Sequence, residues 1–129
     1  MQKPTKGIVV DGSTRGNPGL SKYRAINLHT NKIIFETDWI GITTNNVAEY
    51  LAIAHAVYYC EKNKLDVPIF SDSQTAISWV KKGNLNTSCK NLNERLNKAK
   101  LYLKSRPNLI IEKWHTAIWG ENPADFGNK

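Results

Sequence analysis

Four acidic residues, Asp11, Glu49, Asp72 and Asp125, stand where a predicted strand or loop passes into the next element. In an α/β protein such positions can converge at one edge of the sheet. Carboxylates that meet at one point need cations to neutralise them, and their hard oxygen atoms suit Mg²⁺. We interpret the four acids as the metal ligands of a metal-dependent phosphodiesterase.

Each acid also has a structural interpretation that requires no chemistry. Asp11 could lie in a turn with the glycine that follows it. Asp72, or the serine after it, could cap a helix, and Glu49 has the spacing of a capping-box partner for Asn46. Asp125 follows a proline and could start a terminal helix, where negative charge is favoured. One shared site explains all four acids together, and we prefer that interpretation.

The elements that must position these acids alternate as in α/β proteins. Apolar runs and turn residues predict strands at 7–11, 23–28, 33–40, 68–71 and 109–114, and helices at 46–62, 73–82 and 91–105. Gly83 and Pro107 end the last two helices, and a stub of helix is expected near Pro123. The order predicts one α/β domain over residues 1–129, with a mixed sheet and helical crossovers. Ligands bind at the carboxyl ends of parallel strands, where Asp11 and Asp72 lie.

Positive charge is concentrated in one segment. The chain has 18 Lys and Arg against 11 Asp and Glu, a formal charge of +7. Between residues 81 and 106, Glu94 is the single acid among the basic residues Lys81, Lys82, Lys90, Arg95, Lys98, Lys100, Lys104 and Arg106. Such a patch attracts a polyanion, with nucleic acid as the first candidate and an acidic membrane surface as the second. A solvated helix face is the bland alternative.

Cysteine content and the start of the chain bear on the compartment. Cys60 and Cys89 are too few and too far apart for a disulfide framework or a zinc knuckle, so we expect reduced thiols. The first residues lack the apolar stretch of a signal peptide, and no run reaches membrane-spanning length. We therefore expect a cytoplasmic protein that does not bind membranes.

The residues around the acids form four blocks that resemble the signature blocks of type 1 ribonuclease H. They are VDGS (10–13) with GNPG (16–19), TTNN (43–46) with AE (48–49), SDSQ (71–74) and NPAD (122–125). The blocks occur in the family's order and at its intervals, and they cover essentially the whole chain. The resemblance implies a ribonuclease H-like fold with a five-stranded mixed sheet. Its first three strands would be antiparallel, and its last two would run parallel to the first.

The resemblance also implies an activity. The family hydrolyses the RNA strand of RNA–DNA hybrids endonucleolytically, with two Mg²⁺ ions or Mn²⁺ as a substitute, and leaves 5′-phosphate and 3′-hydroxyl ends. By this similarity Asp11 would bridge both ions, Glu49 and Asp72 would hold one, and Asp125 would complete the other. We expect a monomer without an organic cofactor.

His115 precedes Asp125 by ten residues, a spacing that resembles that of the family's mobile-loop histidine, which assists proton transfer or product release. The family's Gly-His pair is absent, and Trp114 stands in place of the glycine. A sheet-edge histidine without a catalytic role is the alternative. His29 and His55 match no motif, and we expect them to be structural or surface residues.

Recognition of a hybrid requires contact with the 2′-hydroxyl of RNA. By resemblance, the contacts would come from Asn17, Asn45, Asn46 and Gln74, with Thr44 near a phosphate of the DNA strand. Asparagines are also ordinary turn residues, and that interpretation stands for each of them singly.

The chain departs from the family pattern in two places. It has little room for the family's basic protrusion, and Lys81, Lys82 and Lys90 are expected to compensate by contacting phosphates. Trp79 either supports a phosphate channel there or belongs to the core. Four residues follow Asp125 where many relatives continue into a helix, so we expect a natively short or a cut end and a loosely held Asp125.

Three other functions remain open at this stage. A binding module of the same fold could recognise hybrid or double-stranded RNA without cutting it, although the four acids argue against this. A related nuclease could act on DNA junctions or transposon ends, although the GNPG and TTNN blocks favour hybrid recognition. A basic structural domain whose acids are all helix caps is the simplest case.

Overall fold

The computed structural model of the protein describes residues 2–85, 92–106 and 108–126. Its strands are β1 (Ile8–Arg15), β2 (Gly19–Asn27), β3 (Lys32–Glu36), β4 (Gly41–Thr43), β5 (Ile69–Ser71) and β6 (Ile111–Lys113). Its helices are α1 (Asn45–Lys62), α2 (Gln74–Lys82), α3 (Asn93–Lys104) and α4 (Thr116–Trp119). Cys89, Lys90, the predicted helix start at Asn91, the helix end at Pro107 and the last three residues of the chain lie outside the described residues.

The sheet has the predicted mixed topology. Its main path runs β3-β2-β1-β5-β6. The first three strands pair antiparallel, whereas β5 pairs parallel to β1 and β6 parallel to β5. The α/β fold of the ribonuclease H type is therefore confirmed.

The described part of the sheet has a sixth strand that the sequence did not predict. The strand predicted at 33–40 ends at Glu36, and β4 pairs separately with the start of β2. The register of β2 against β3 shifts between Ala25 and Ile26. Just beyond β3, the Tyr23 amide donates to the Thr37 hydroxyl at 3.0 Å. The regular ladder ends at this side-chain bond, so the predicted strand is shorter than expected, and β4 begins at Gly41, just beyond its predicted end.

Helix α1 packs on the inner face of the sheet and carries most of the core. Its buried residues extend from Val47 to Cys60, as its almost uniformly apolar sequence predicts. Thr44 caps it, because Thr44 Oγ1 accepts a hydrogen bond from the Val47 amide at 3.3 Å. The capping-box interpretation of Asn46 and Glu49 is therefore wrong, and the Glu49 side chain is available for another role.

The close approach of α1 to β1 depends on a glycine. A Cβ atom built at Gly12 would lie 3.0 Å from the Ala48 Cβ and 3.3 Å from the Glu49 amide nitrogen. These distances are tighter than ordinary van der Waals contact, so a side chain here would push the helix away. Gly12 thus allows Glu49 to reach β1.

Helix α2 begins and ends as local chemistry predicts, and α3 packs against the core. Ser73 Oγ accepts a hydrogen bond from the Ala76 amide at 3.1 Å and caps α2, and Gly83 follows α2 with a left-handed φ of 70°. Helix α3 buries Leu96 and Leu103 against the core. Arg106, just beyond α3, forms an ion pair with Glu61 of α1 and joins the two helix ends.

A second apolar cluster covers the outer face of the sheet and supports the end of the chain. It contains Val9, Ile26, Phe70, Trp114 and Ala124, with Trp119 packed against it. The Trp114 indole N–H donates to the Gly120 carbonyl at 3.0 Å. The helical stub is α4, so its predicted place near Pro123 is wrong. None of the described helices has the length and apolarity needed to span a bilayer.

Candidate active site

Three of the four predicted acids meet at one point. Oxygen atoms of Asp11, Glu49 and Asp72 all lie within 4.8 Å of one another. Asp11 belongs to β1, Glu49 to the first turns of α1, and Asp72 directly follows β5. Asp11 is 1% exposed and Glu49 is fully buried. The structure therefore brings carboxylates from three distant parts of the sequence into one cluster at the carboxyl end of β5.

Glu49 is held by two donors from neighbouring strands. The Gly12 amide donates to Glu49 Oε1 at 2.8 Å, and Ser71 Oγ donates to Glu49 Oε2 at 2.9 Å. Ser71 Oγ in turn accepts from the Ser73 amide at 3.1 Å. These bonds orient the carboxylate from β1 and β5 together, so the helix and both strands define its position.

The electrostatics of the cluster favour a bound cation. Burial raises the pKa of the Glu49 carboxyl well above its ordinary value. The charge of Asp11, a hydrogen bond with Asp11 and the charge of Asp72 raise that pKa further, against the opposing effect of the Gly12 amide. A proton or a metal ion can relieve this repulsion, and carboxylate oxygens are hard ligands of the kind that Mg²⁺ prefers. The residues present therefore fit a divalent metal.

Asp125 stands apart from this group of three within the described residues. It is half-buried in the segment that follows α4. Its amide donates to the Asn122 carbonyl at 2.9 Å, and its own carbonyl accepts a hydrogen bond from Arg24. The backbone on both sides of Asp125 is thus bonded, in contrast to the expectation of a loosely held residue.

Asn122 links the Asp125 segment to the carboxylate cluster, a role that sequence reasoning missed. The Asn122 side chain is buried. Its Nδ2 donates to the Val10 carbonyl at 3.0 Å and lies 3.4 Å from Asp72 Oδ2. Its Oδ1 accepts from the Ala124 amide at 2.8 Å. The signal available in the sequence was the NPAD block, in which the asparagine received no role.

His115 is the residue before α4 and lies two residues after the end of β6. Its ring is half-buried and packs edge-on against Trp119, with ring centroids 4.9 Å apart. Its catalytic role stays a prediction. His55 is structural, as expected, because its Nδ1 lies 2.9 Å from the Tyr23 hydroxyl and its ring stacks on Phe35. His29 is exposed at the hairpin turn.

The predicted hybrid-contact residues gather at the starts of α1 and α2. Asn17 Oδ1 accepts from the Asn45 amide at 3.0 Å, and Asn46 Oδ1 accepts from Ser73 Oγ at 3.0 Å. Thr44 caps α1. Gln74 is exposed at the first position of α2. The structure thus brings these residues to neighbouring helix starts, where Asn17 bonds to the Asn45 backbone and Asn46 bonds to the cap residue of α2.

A polar cavity of about 670 Å³ lies beside α2. It is lined by Gln74, Thr75, Ser78, Trp79, Lys82 and Asn84. Trp79 is 8% exposed, and its ring contacts Tyr50 edge-on, so it belongs to the core while lining this cavity. Lys81, Lys82, Arg95 and Lys98 are exposed.

Comparison with known proteins agrees with this geometry. The family profile described as RNase H matches residues 4–119. Ribonuclease H of Rickettsia felis is 34% identical over 83% of this chain and 75% of its own length. Ribonuclease HI of Rickettsia prowazekii is 33% identical over 92% of this chain and 84% of its own.

A solved structure agrees as well. LC11-RNase H1 was isolated from compost by a metagenomic approach. Its crystal structure in complex with an RNA/DNA hybrid is similar to the structure of this chain. The TM-score is 0.59 at 28% identity, over 86% of each chain. The matched family profile, the relatives and the carboxylate cluster agree, and this chain belongs to the RNase H family of ribonucleases.

Proposed function

We propose that this protein cleaves the RNA strand of RNA–DNA hybrids endonucleolytically and leaves 5′-phosphate and 3′-hydroxyl ends. The observation that carries the proposal is the cluster of Asp11, Glu49 and Asp72, with oxygens within 4.8 Å of one another in an RNase H fold. The hybrid bound to LC11-RNase H1 supports this substrate. Family membership supports ribonuclease activity in general.

Asp11, Glu49 and Asp72 would hold divalent cations, with Asp125 as the fourth carboxylate. Two Mg²⁺ ions, or Mn²⁺ in their place, would supply an activated water and would stabilise the leaving 3′-oxygen. The protein's part is to present carboxylate oxygens in fixed directions. The Gly12 amide and the Ser71 hydroxyl do this for Glu49.

His115 would move a proton near the cluster or assist product release. It stands at the start of α4, after Lys113, whose Nζ donates to the Asp72 carbonyl at 2.7 Å. His115 thus lies two residues after a residue that is bonded to the Asp72 carbonyl. Histidine is the side chain that most often acts as a general acid or base in enzymes.

The starts of α1 and α2 would receive the hybrid. Amide groups at a helix start favour phosphate, and these two starts are joined by the hydrogen bond between Asn46 and Ser73. Asn17, Asn45, Asn46 and Gln74 would contact the 2′-hydroxyl side of the RNA strand. Thr44 would lie near a DNA phosphate. The exposed Lys81 and Lys82 at the end of α2 would add contacts to phosphates without sequence preference.

The test compares wild type with Asp11→Asn on labelled hybrid, double-stranded RNA and double-stranded DNA, with Mg²⁺ and with excess EDTA. We expect hybrid cleavage with Mg²⁺, none with EDTA, and a loss of roughly a thousandfold or more in the variant, since metal charge stabilisation is worth several kcal/mol. Hybrid cleavage that survives the substitution contradicts the mechanism. Cutting of duplex DNA would indicate a DNA-directed nuclease, and binding without cleavage would indicate a binding module.

A further inference from the structure

We propose that Arg24 is a positioning residue that fixes the backbone carrying Asp125. This inference rests on the proposed function, because it concerns the fourth carboxylate of that site. Arg24 lies on β2, 100 residues before Ala124 and 101 before Asp125. No signature block contains it, and its side chain reaches across the outer face of the sheet to the end of the described chain.

The guanidinium group of Arg24 binds two consecutive carbonyls. Its Nε donates to the Ala124 carbonyl at 2.7 Å, and its Nη2 donates to the Asp125 carbonyl. The group also lies over the Phe126 ring, 4.4 Å from the centroid. Three successive residues around the acid therefore contact a single side chain.

The guanidinium is itself oriented from the opposite side. Nη1 of Arg24 lies 3.4 Å from Glu36 Oε1 on β3, and the Arg24 side chain is 19% exposed. A planar fork with fixed N–H directions can bridge two neighbouring acceptors, which the single ammonium of lysine cannot do in the same geometry. Arginine, and not positive charge alone, is therefore what the arrangement requires.

The position of Arg24 in the sheet connects this contact to the active site. Arg24 is the antiparallel register partner of Asp11, and directly opposite residues of two strands share one face of the sheet. On the other side of the segment that carries Asp125, the Asn122 side chain bonds to the Val10 carbonyl and the Ala124 amide. The carbonyls of Ala124 and Asp125 flank the Asp125 Cα, so fixing both restricts the direction in which the carboxylate leaves the backbone.

The experiment compares Arg24→Met, which keeps a long side chain, with Arg24→Lys and with Lys22→Met. Lys22→Met is a matched control because Lys22 lies on the same strand and the substitution removes the same charge. The Lys22 Nζ also lies 5.1 Å from the centroid of the Phe126 ring. The first measurement is amide hydrogen exchange in metal-free protein. We expect the Asp125 amide to exchange about tenfold faster in Arg24→Met, with β1 amides unchanged, since a typical buried hydrogen bond is worth about that factor.

The second measurement is the Mg²⁺ dependence of hybrid cleavage. We expect Arg24→Met to need several-fold more Mg²⁺ for half-maximal rate, with KM for the hybrid changed less than twofold. Arg24→Lys should fall between wild type and Arg24→Met, and Lys22→Met should match wild type within twofold. Unchanged exchange at Asp125 in Arg24→Met overturns the inference. A uniform rise of exchange across β1 and α1 also overturns it, because that result indicates a general structural role.

Asp125→Asn separates this inference from the proposed function. Full activity in that variant removes Asp125 from the proposed site. Loss of activity in Asp125→Asn, combined with wild-type exchange and Mg²⁺ dependence in Arg24→Met, overturns the role of Arg24 alone. The exchange measurement needs neither metal nor substrate, so it reports on the backbone contact directly.

Discussion

The Gly12 amide donates a hydrogen bond to Glu49 Oε1 at 2.8 Å, although 37 residues separate them in the chain. The residue that follows Asp11 therefore orients the second acid of the cluster. This bond requires α1 to lie close against β1, and the absence of a side chain at Gly12 permits that approach. Core packing and the geometry of the site are thus determined at one contact.

Gly12→Ala should weaken both stability and activity. The added methyl would lie 3.0 Å from the Ala48 Cβ, and overpacking of this kind costs about 1–3 kcal/mol. Because the displacement also lengthens the bond to Glu49, we expect hybrid cleavage to fall about tenfold or more. Urea unfolding and cleavage rates check these effects.

Ala48→Gly in the same chain removes the opposing methyl, so a double-mutant cycle should show favourable coupling. Purely additive effects would contradict the steric explanation.

Metal-free protein should lose stability as pH rises. The folded-state pKa of Glu49 is raised well above its ordinary value of 4.5, chiefly by burial. A raised pKa means that the folded state binds the proton more tightly than the unfolded chain. Protonation of Glu49 therefore stabilises the folded state. This stabilisation is complete below about pH 4.5 and disappears as pH rises through the folded-state pKa of Glu49.

Thermal unfolding in EDTA, measured at pH steps from about 5 to about 9, checks this expectation. Asp11→Asn removes one repelling charge, so its melting temperature in EDTA should exceed that of wild type at the upper end of this pH range. Mg²⁺ should raise the melting temperature of wild type more than that of the variant. Equal responses to Mg²⁺ would argue against metal binding at the cluster.

Local chemistry explains which parts of the fold were predictable. The bounds of α2 follow from a serine cap and a glycine stop, Ser73 and Gly83, which act within a few residues. The end of β3 at Glu36 was not predictable, because it depends on a register shift at Ala25 and a bond from Tyr23 to Thr37. These contacts involve strands that pair only in the folded protein.

The same distinction applies to the site. Asp11, Glu49 and Asp72 were identified because each stands in a block that resembles a family signature. Arg24 and Asn122 were not, since most of their partners are backbone groups, which carry no residue identity in a sequence. The 100-residue separation between Arg24 and Ala124 gives no local pattern that periodicity could detect.

Asn122→Ala should reduce stability and cleavage together. The substitution removes the donor to the Val10 carbonyl and the acceptor for the Ala124 amide. Leaving buried partners unsatisfied costs about 1–3 kcal/mol, and the Asp125 segment loses its link to β1. If Asp125 serves as the proposed fourth carboxylate, its displacement should reduce cleavage about tenfold or more. Glu121→Ala is an exposed neighbour and should behave as wild type in both assays. Wild-type cleavage by Asn122→Ala would show that the link to β1 does not position Asp125.

His55 should make the fold sensitive to acid. Burial lowers the pKa of its ring from the ordinary 6.5, and the ring is stacked on Phe35 and bonded to the Tyr23 hydroxyl. Below about pH 6.5 the unfolded chain binds a proton that the folded state resists, so stability falls as pH drops through the folded-state pKa.

His55→Gln keeps a polar partner for Tyr23 but cannot titrate. We expect it to cost about 1 kcal/mol at about pH 8 through the lost ring stack. We also expect the free energy of unfolding of His55→Gln to rise relative to that of wild type as pH falls from about 8 to about 5. Urea unfolding at the two pH values measures both effects. The exposed His29 provides the control, because His29→Gln should retain the wild-type pH dependence. If the two glutamine variants show the same pH dependence, the buried imidazole is not the source of the acid sensitivity.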